Sequence, residues 1–174
     1  MGEESNRFEG TRIPDPGFSG DAGEASPVVA AALSAYASER SRYAETLAVL
    51  LEARVLVPVV AILGEVEHDD AGLAHDKSSD MATVLMTGRD GRTALLAFTG
   101  TEQLEAWDPE ARPVPVACAL AAQSAIQDGA DALVVDIAGP VTFVVEGEDL
   151  TRIAAGWQLA RVGDRPAWIR PSTA

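Results

Sequence analysis

Met81-Ala-Thr-Val-Leu-Met-Thr87, Gly88-Arg-Asp-Gly-Arg92 and Thr93-Ala-Leu-Leu-Ala-Phe98 form the stretch on which the reading of the fold turns. Two strand-like runs flank a five-residue segment in which Asp90-Gly91 supplies the positive backbone angles of a tight hairpin turn. Thr99 and Glu102 follow with the spacing of a capping box, so a helix is predicted to begin as the second strand ends. Leu104 and Trp107 face the core in this reading, and Asp108-Pro109 stops the helix. Pro113-Val-Pro-Val116 continues as extended chain, because each proline restricts its own backbone and that of its predecessor.

Upstream of the hairpin, Ser26-Pro27 predicts a helix start, with the serine oxygen as cap and the proline in the first turn, where its missing N–H costs nothing. Val28, Val29, Ala32, Leu33 and Tyr36 make one apolar stripe, and Tyr43, Leu47, Leu50 and Leu51 a second, with the polar residues 38–42 dividing them into two helices. Residues 55–63 read as a strand buried on both faces, in which Pro58 cannot donate a ladder bond and suggests an edge or a bulge. Residues 64–79 read as a long polar loop.

Downstream, residues 117–127 read as a small-residue helix closed by Gly129. Residues 132–137 and 141–145 then pair across a Gly139-Pro140 turn, a short helix covers residues 149–155, and a terminal strand pair turns at residues 162–165 and ends near Ile169. The expected fold class is α+β: a single domain with a mixed, mainly antiparallel β-sheet and helices packed on it. Residues 1–25 form a polar arm, and residues 26–171 the domain.

At 174 residues the chain suits one domain with a sizeable core. Only 5% of residues are aromatic, so the core is aliphatic. The net charge of −14 disfavours nucleic acid and anionic membranes, because binding to either depends on lysine and arginine. Acid is concentrated in residues 1–26 and 65–80, six carboxylates in each, which reads first as solubility and second as attraction for a basic partner. Cys118 is the single cysteine, leaving no internal disulfide and fitting a reducing compartment. No apolar run approaches the ~20 residues of a membrane span, and the N-terminus has no signal-peptide pattern. A cytoplasmic location is expected.

Lys77-Ser-Ser-Asp-Met-Ala82, Asp90-Gly-Arg92, Ala97-Phe-Thr99, Trp107-Asp-Pro109, Arg112-Pro-Val-Pro-Val116 and Asp136-Ile-Ala-Gly-Pro140 occur in an order that resembles the SseB family. The likeness is to the N-terminal domain of SseB-like proteins, the enhanced serine sensitivity group, in its actinobacterial form. It spans roughly residues 13–171. The resemblance implies a fold and no catalytic residues.

Candidate chemistry is sparse. His68, Asp69, Asp70, His75 and Asp76 could furnish a metal shell, but their spacing fits no helical ligand motif, and they read as a solvated acidic loop. Ser78, Ser79, Asp80 and His75 lack the rigid elbow and oxyanion hole of a hydroxyl nucleophile, so Ser79 and Asp80 read as hairpin-start residues. Cys118 lies in an apolar setting that keeps a thiol unreactive. Trp107, Asp108, Arg112 and Pro113 could present a partner surface, against the plainer reading of an Asp108–Arg112 pair pinning a loop while Trp107 plugs the sheet. Asp136 at a strand end could line a pocket or form a turn.

The expected function is a non-catalytic protein-interaction or regulatory module, with no cofactor and no metal, and with a protein partner of basic character as a candidate. The alternative is a small-metabolite-binding or weakly catalytic domain using Asp80, Arg112 and Asp136. These three residues separate the readings: convergence in one pocket favours a ligand, and dispersal favours the interaction module.

Overall fold

The computed structural model describes residues 18, 20–62, 80–163 and 165–171. Helix α1 (Pro27–Ser38) ends where Glu39 turns extended, a 3-10 turn (Arg40–Arg42) follows, and α2 (Tyr43–Leu51) leads into strand β1 (Arg54–Ile62). Ser26 occupies the N-cap position of α1, but its side chain makes no capping bond. Its carbonyl accepts from Ala30 N–H at 2.9 Å, and Pro27 supplies the helical φ.

β1 is the centre of a three-stranded antiparallel sheet, between β2 (Asp80–Thr83) and β5 (Arg112–Ala117). Pro58 is therefore in a central strand, not at the edge its missing donor suggested. It pairs with Pro113, where neither partner could donate, and the β2 ladder stops at the Val59–Thr83 pair immediately before it. Since prolines cannot supply ladder bonds, the inward donors of β5 come from Arg112, Val114 and Val116, leaving Pro113 and Pro115 to blunt the outer edge.

The second sheet has the order β3 (Leu85–Thr87), β4 (Thr93–Ala97), β6 (Ala132–Val135), β7 (Phe143–Glu146), with β4 and β6 parallel and the other pairs antiparallel. The expected hairpin is present between β3 and β4, and its turn is closed by Gly88 and Arg92, with Gly91 at φ 82°. Its first run is divided, however: residues 80–83 pair with β1 in the other sheet, and residues 85–87 with β4. A single antiparallel bridge, Leu56 to Phe98, ties the two sheets together through bonds of 2.7 and 2.8 Å. Helix α3 (Thr101–Trp107) follows β4, α4 (Cys118–Gln127) links β5 to β6, and α5 (Gly147–Ala154) follows β7. A separate hairpin, β8 (Gln158–Val162) and β9 (Arg165–Ile169), closes the chain. The fold is a single α+β domain, mainly antiparallel in its pairing. No helix among the described residues is long and apolar enough to cross a membrane.

Strand alternation divides the core in two. Val55, Val57, Leu95, Ala97, Leu133 and Val135 face α1, α2, α4 and α5, while Leu56, Leu96 and Phe98 face the single helix α3. Phe143 anchors the larger cluster, stacked on Tyr43 at 5.0 Å and met edge-on by Tyr36 at 4.9 Å. Burial of such a ring stabilises by about 2 to 3 kcal/mol. Val28 leaves the stripe it shared with Val29 and Leu33: those two are buried, while Val28 is 66% exposed.

Candidate interaction site

Asp136 follows the end of β6 in the left-handed region at φ 55°, and its side chain is buried. Its carboxylate accepts from Thr99 N–H at 2.8 Å and from Thr99 Oγ1–H at 2.7 Å, so it joins the C-terminal ends of the parallel strands β4 and β6. Thr99 is consequently not the helix cap its spacing with Glu102 suggested. Gly100 takes the cap position of α3, and the threonine hydroxyl goes to the stronger, charged acceptor. Burial raises the Asp136 carboxyl, and the two Thr99 bonds work against that rise.

The opposite side of Thr99 is held by Arg54. Its guanidinium donates to the Thr99 carbonyl, to both carboxylate oxygens of Asp21 and to the Glu24 carbonyl. Residues 20–26 thus form a strap, which Thr101 secures by donating its backbone N–H to the Gly23 carbonyl at 2.8 Å. A Cβ at Gly100 would lie 2.8 Å from Ala25 N, so the strap crosses where only glycine fits. Gln103 Oε1 is buried beneath this crossing with no hydrogen-bond partner among the described residues. Arg54 and Asp21 escaped sequence reading, because an arginine at a strand start and an aspartate in a polar arm carry no local signal of meeting.

The other predicted site residues are scattered. The Asp80 backbone pairs with Ile62, eight residues along β1 from Arg54, which at 3.3 Å per residue is roughly 26 Å. Arg112 is exposed at the start of the edge strand, opposite Val59. The expected Asp108–Arg112 pair is not formed: Asp108 Oδ1 instead accepts from the Glu110 N–H at 2.9 Å, a local turn contact that costs less ordering than holding a long arginine. Trp107 is half-buried against Phe98, with ring centroids 5.6 Å apart, and Pro113 lies on the blunted edge. Asp80 therefore does not meet Asp136, which is tied through Thr99 to the opposite end of β1, and Arg112 lies between them, three positions from Ile62. The histidine group at residues 68–76, with Ser78 and Ser79, lies outside the described residues.

Concavity is found elsewhere, along α2. Ala44, Glu45, Ala48, Val49 and Glu52 fall on one side of the helix and Thr46, Leu47 and Leu50 on the other, because successive residues advance by 100°. The second group is buried in the core, and the first lines two cavities of about 600 and 290 Å³ that share Ala48 and Val49. The larger is walled by Val28 and the strap, the smaller by Leu159, Ala160, Arg161 and Pro166 of the terminal hairpin. The two make one trough along the outward face of α2. An amphipathic surface helix would carry polar residues there, and α2 instead places Ala44, Ala48 and Val49 on that side, with Glu45 and the C-cap Glu52.

The family model of the SseB protein N-terminal domain matches residues 29–152, more than half of the chain. The chain belongs to the SseB family. Within the matched SseB domain lie α2, both sheets, Arg54, Thr99 and Asp136, whereas the strap precedes it and the β8–β9 hairpin follows it. No curated protein and no solved structure matches the chain.

Proposed function

We propose that this SseB domain is a non-catalytic protein-interaction module acting in the cytoplasm, and that the trough along α2 is its docking surface. The observation that carries this reading is the apolar outward face of α2, with Ala48 and Val49 half-buried in a trough that has room for another chain. An apolar groove is a common way for a domain to receive a segment of another chain. Residues with reactive potential support the same reading: Asp136 has both oxygens committed to Thr99, and burial holds the Cys118 thiol up at about 12, so it stays protonated at neutral pH.

The rival reading, a metabolite site built from Asp80, Arg112 and Asp136, needs these groups within reach of one small molecule, and the separation of Asp80 from Asp136 along β1 opposes it. The deciding experiment is affinity capture with the full chain from native lysate, followed by light scattering of the purified complex. A specific stoichiometric protein partner is expected. Repeated recovery of no specific protein, together with thermal stabilisation by a small metabolite, would overturn the reading in favour of the rival.

A further inference from the structure

We infer that the α2 trough is charge-polarised and receives an apolar segment of a partner that is basic at one end and acidic at the other. This rests on the interaction reading above and assigns the chemistry of its ligand. At the strap end, Asp21 neutralises Arg54, leaving the exposed carboxylates of Glu24 and Glu52 with no ion pair among the described residues. At the hairpin end, Arg42 is shared between Glu39 at 3.1 Å and Glu45 at 3.3 Å, and the exposed Arg161 guanidinium beside them has no ion pair among the described residues. Between these ends the wall consists of Ala44, Ala48 and Val49, with Val28 and Leu159 on its flanks.

The spacing sets the size of the ligand. Residues 44 and 52 are separated by about 12 Å along the helix axis, enough for about two turns of helix or four extended residues. Residues 153–174 hold Arg161, Arg165 and Arg170 against Asp164, whereas the whole chain carries −14. The hairpin that supplies Arg161 lies beyond the region matched by the family model, so the matched domain supplies α2 and Glu52 and the hairpin adds the opposite charge. Charges at the rim of an interface fix orientation and reject wrong partners more than they add affinity. The trough therefore selects for order of charge as well as for apolar character.

The test uses three fluorescent peptides with the same alanine-leucine centre: lysines at one end and glutamates at the other, lysines at both ends, or glutamates at both ends. Anisotropy titration of the full chain is expected to rank the mixed peptide at least tenfold tighter than either of the others. Arg161→Glu is expected to make the doubly basic peptide the tightest ligand, and Ala48→Phe, which fills the trough at unchanged charge, to weaken all three by at least tenfold. Thermal melts check that both variants remain folded.

Preference of the wild-type chain for the doubly basic peptide would indicate bulk attraction to its net charge and overturn the inference. So would a ranking unaffected by Arg161→Glu, binding unaffected by Ala48→Phe, or no binding of any peptide. The parent reading fails separately. A cellular partner captured equally by wild type and Ala48→Phe preserves an interaction module and removes the trough, whereas capture of no partner removes the module itself.

Discussion

The buried carboxylate of Asp136 accepts two hydrogen bonds from Thr99, one from the backbone N–H at 2.8 Å and one from the hydroxyl at 2.7 Å. This contact holds together the ends of the one parallel strand pair among the described residues, from a residue whose own backbone is in the left-handed region. Asp136→Ala removes both acceptors and leaves the Thr99 amide buried and unpaired, at a cost of about 2 to 4 kcal/mol. Asp136→Gly relieves the positive φ, worth about 1 kcal/mol, yet loses the same bonds, so it remains destabilising. Asp136→Asn keeps an acceptor and tolerates the backbone, so it should lose least. Urea denaturation orders the three, and a stabilised Asp136→Gly would refute the account.

Two carboxylates give opposite pH dependences. Burial raises Asp136 above its ordinary 3.8, so the folded chain holds that proton more tightly than the unfolded chain. Its contribution is most favourable below 3.8 and declines as pH rises through the raised native value. Asp21 is held below 3.8 by its bond from Arg54, so its contribution is complete above 3.8 and is lost as pH falls through the lowered value. Stability measured from pH 2 to 8 should lose its declining slope above 3.8 in Asp136→Asn, and part of its acid-side loss in Asp21→Asn.

Arg54 is the fastening of the strap. Arg54→Ala removes the shared donor of Asp21, Glu24 and Thr99 at a mostly buried site, and about 2 to 3 kcal/mol should be lost. Arg54→Lys keeps the charge without the planar fork, so it should recover less than half. Hydrogen exchange at the Thr101 amide, which donates to Gly23, should accelerate in both variants. Unchanged protection would show that the strap is held by other contacts.

Cys118 is fully buried at the start of α4, with its thiol pushed up to about 12 by burial alone. A thiol reagent at pH 8 should leave the folded chain unmodified over hours and label it fully in denaturant. Rapid labelling under native conditions would mean that α4 opens far more readily than its packing suggests.

Much of the fold was legible from local rules, and its failures share a cause. The β3–β4 turn was readable because Asp90-Gly91 meets a local backbone demand, and α1, α4, α5 and the terminal hairpin because their apolar spacing or breakers act within a few residues. Thr99 was misread because its spacing with Glu102 is local, whereas the carboxylate that claims it is 37 residues away. Pro58 was misread because proline excludes a donor and does not specify which neighbour lacks a partner, here Pro113 on one side and the end of β2 on the other. The trough was not legible: the stripe of Tyr43, Leu47, Leu50 and Leu51 marked only the core side of α2, and a cavity exists on the other side only where the strap and the hairpin rise beside it.

By itself the sequence determined the element types, the aliphatic core, the acidic character and the family, since these depend on residue periodicity, turn chemistry and composition. Tertiary structure decided which partners those elements took. It split residues 80–87 between two sheets, set Asp136 against Thr99 and Arg54 against Asp21, separated Asp80 from Asp136, and brought Arg161 to the cavity that Ala48 lines. Such pairings between distant segments are selected by global packing, because no short stretch of chain carries the energy that distinguishes one partner from another.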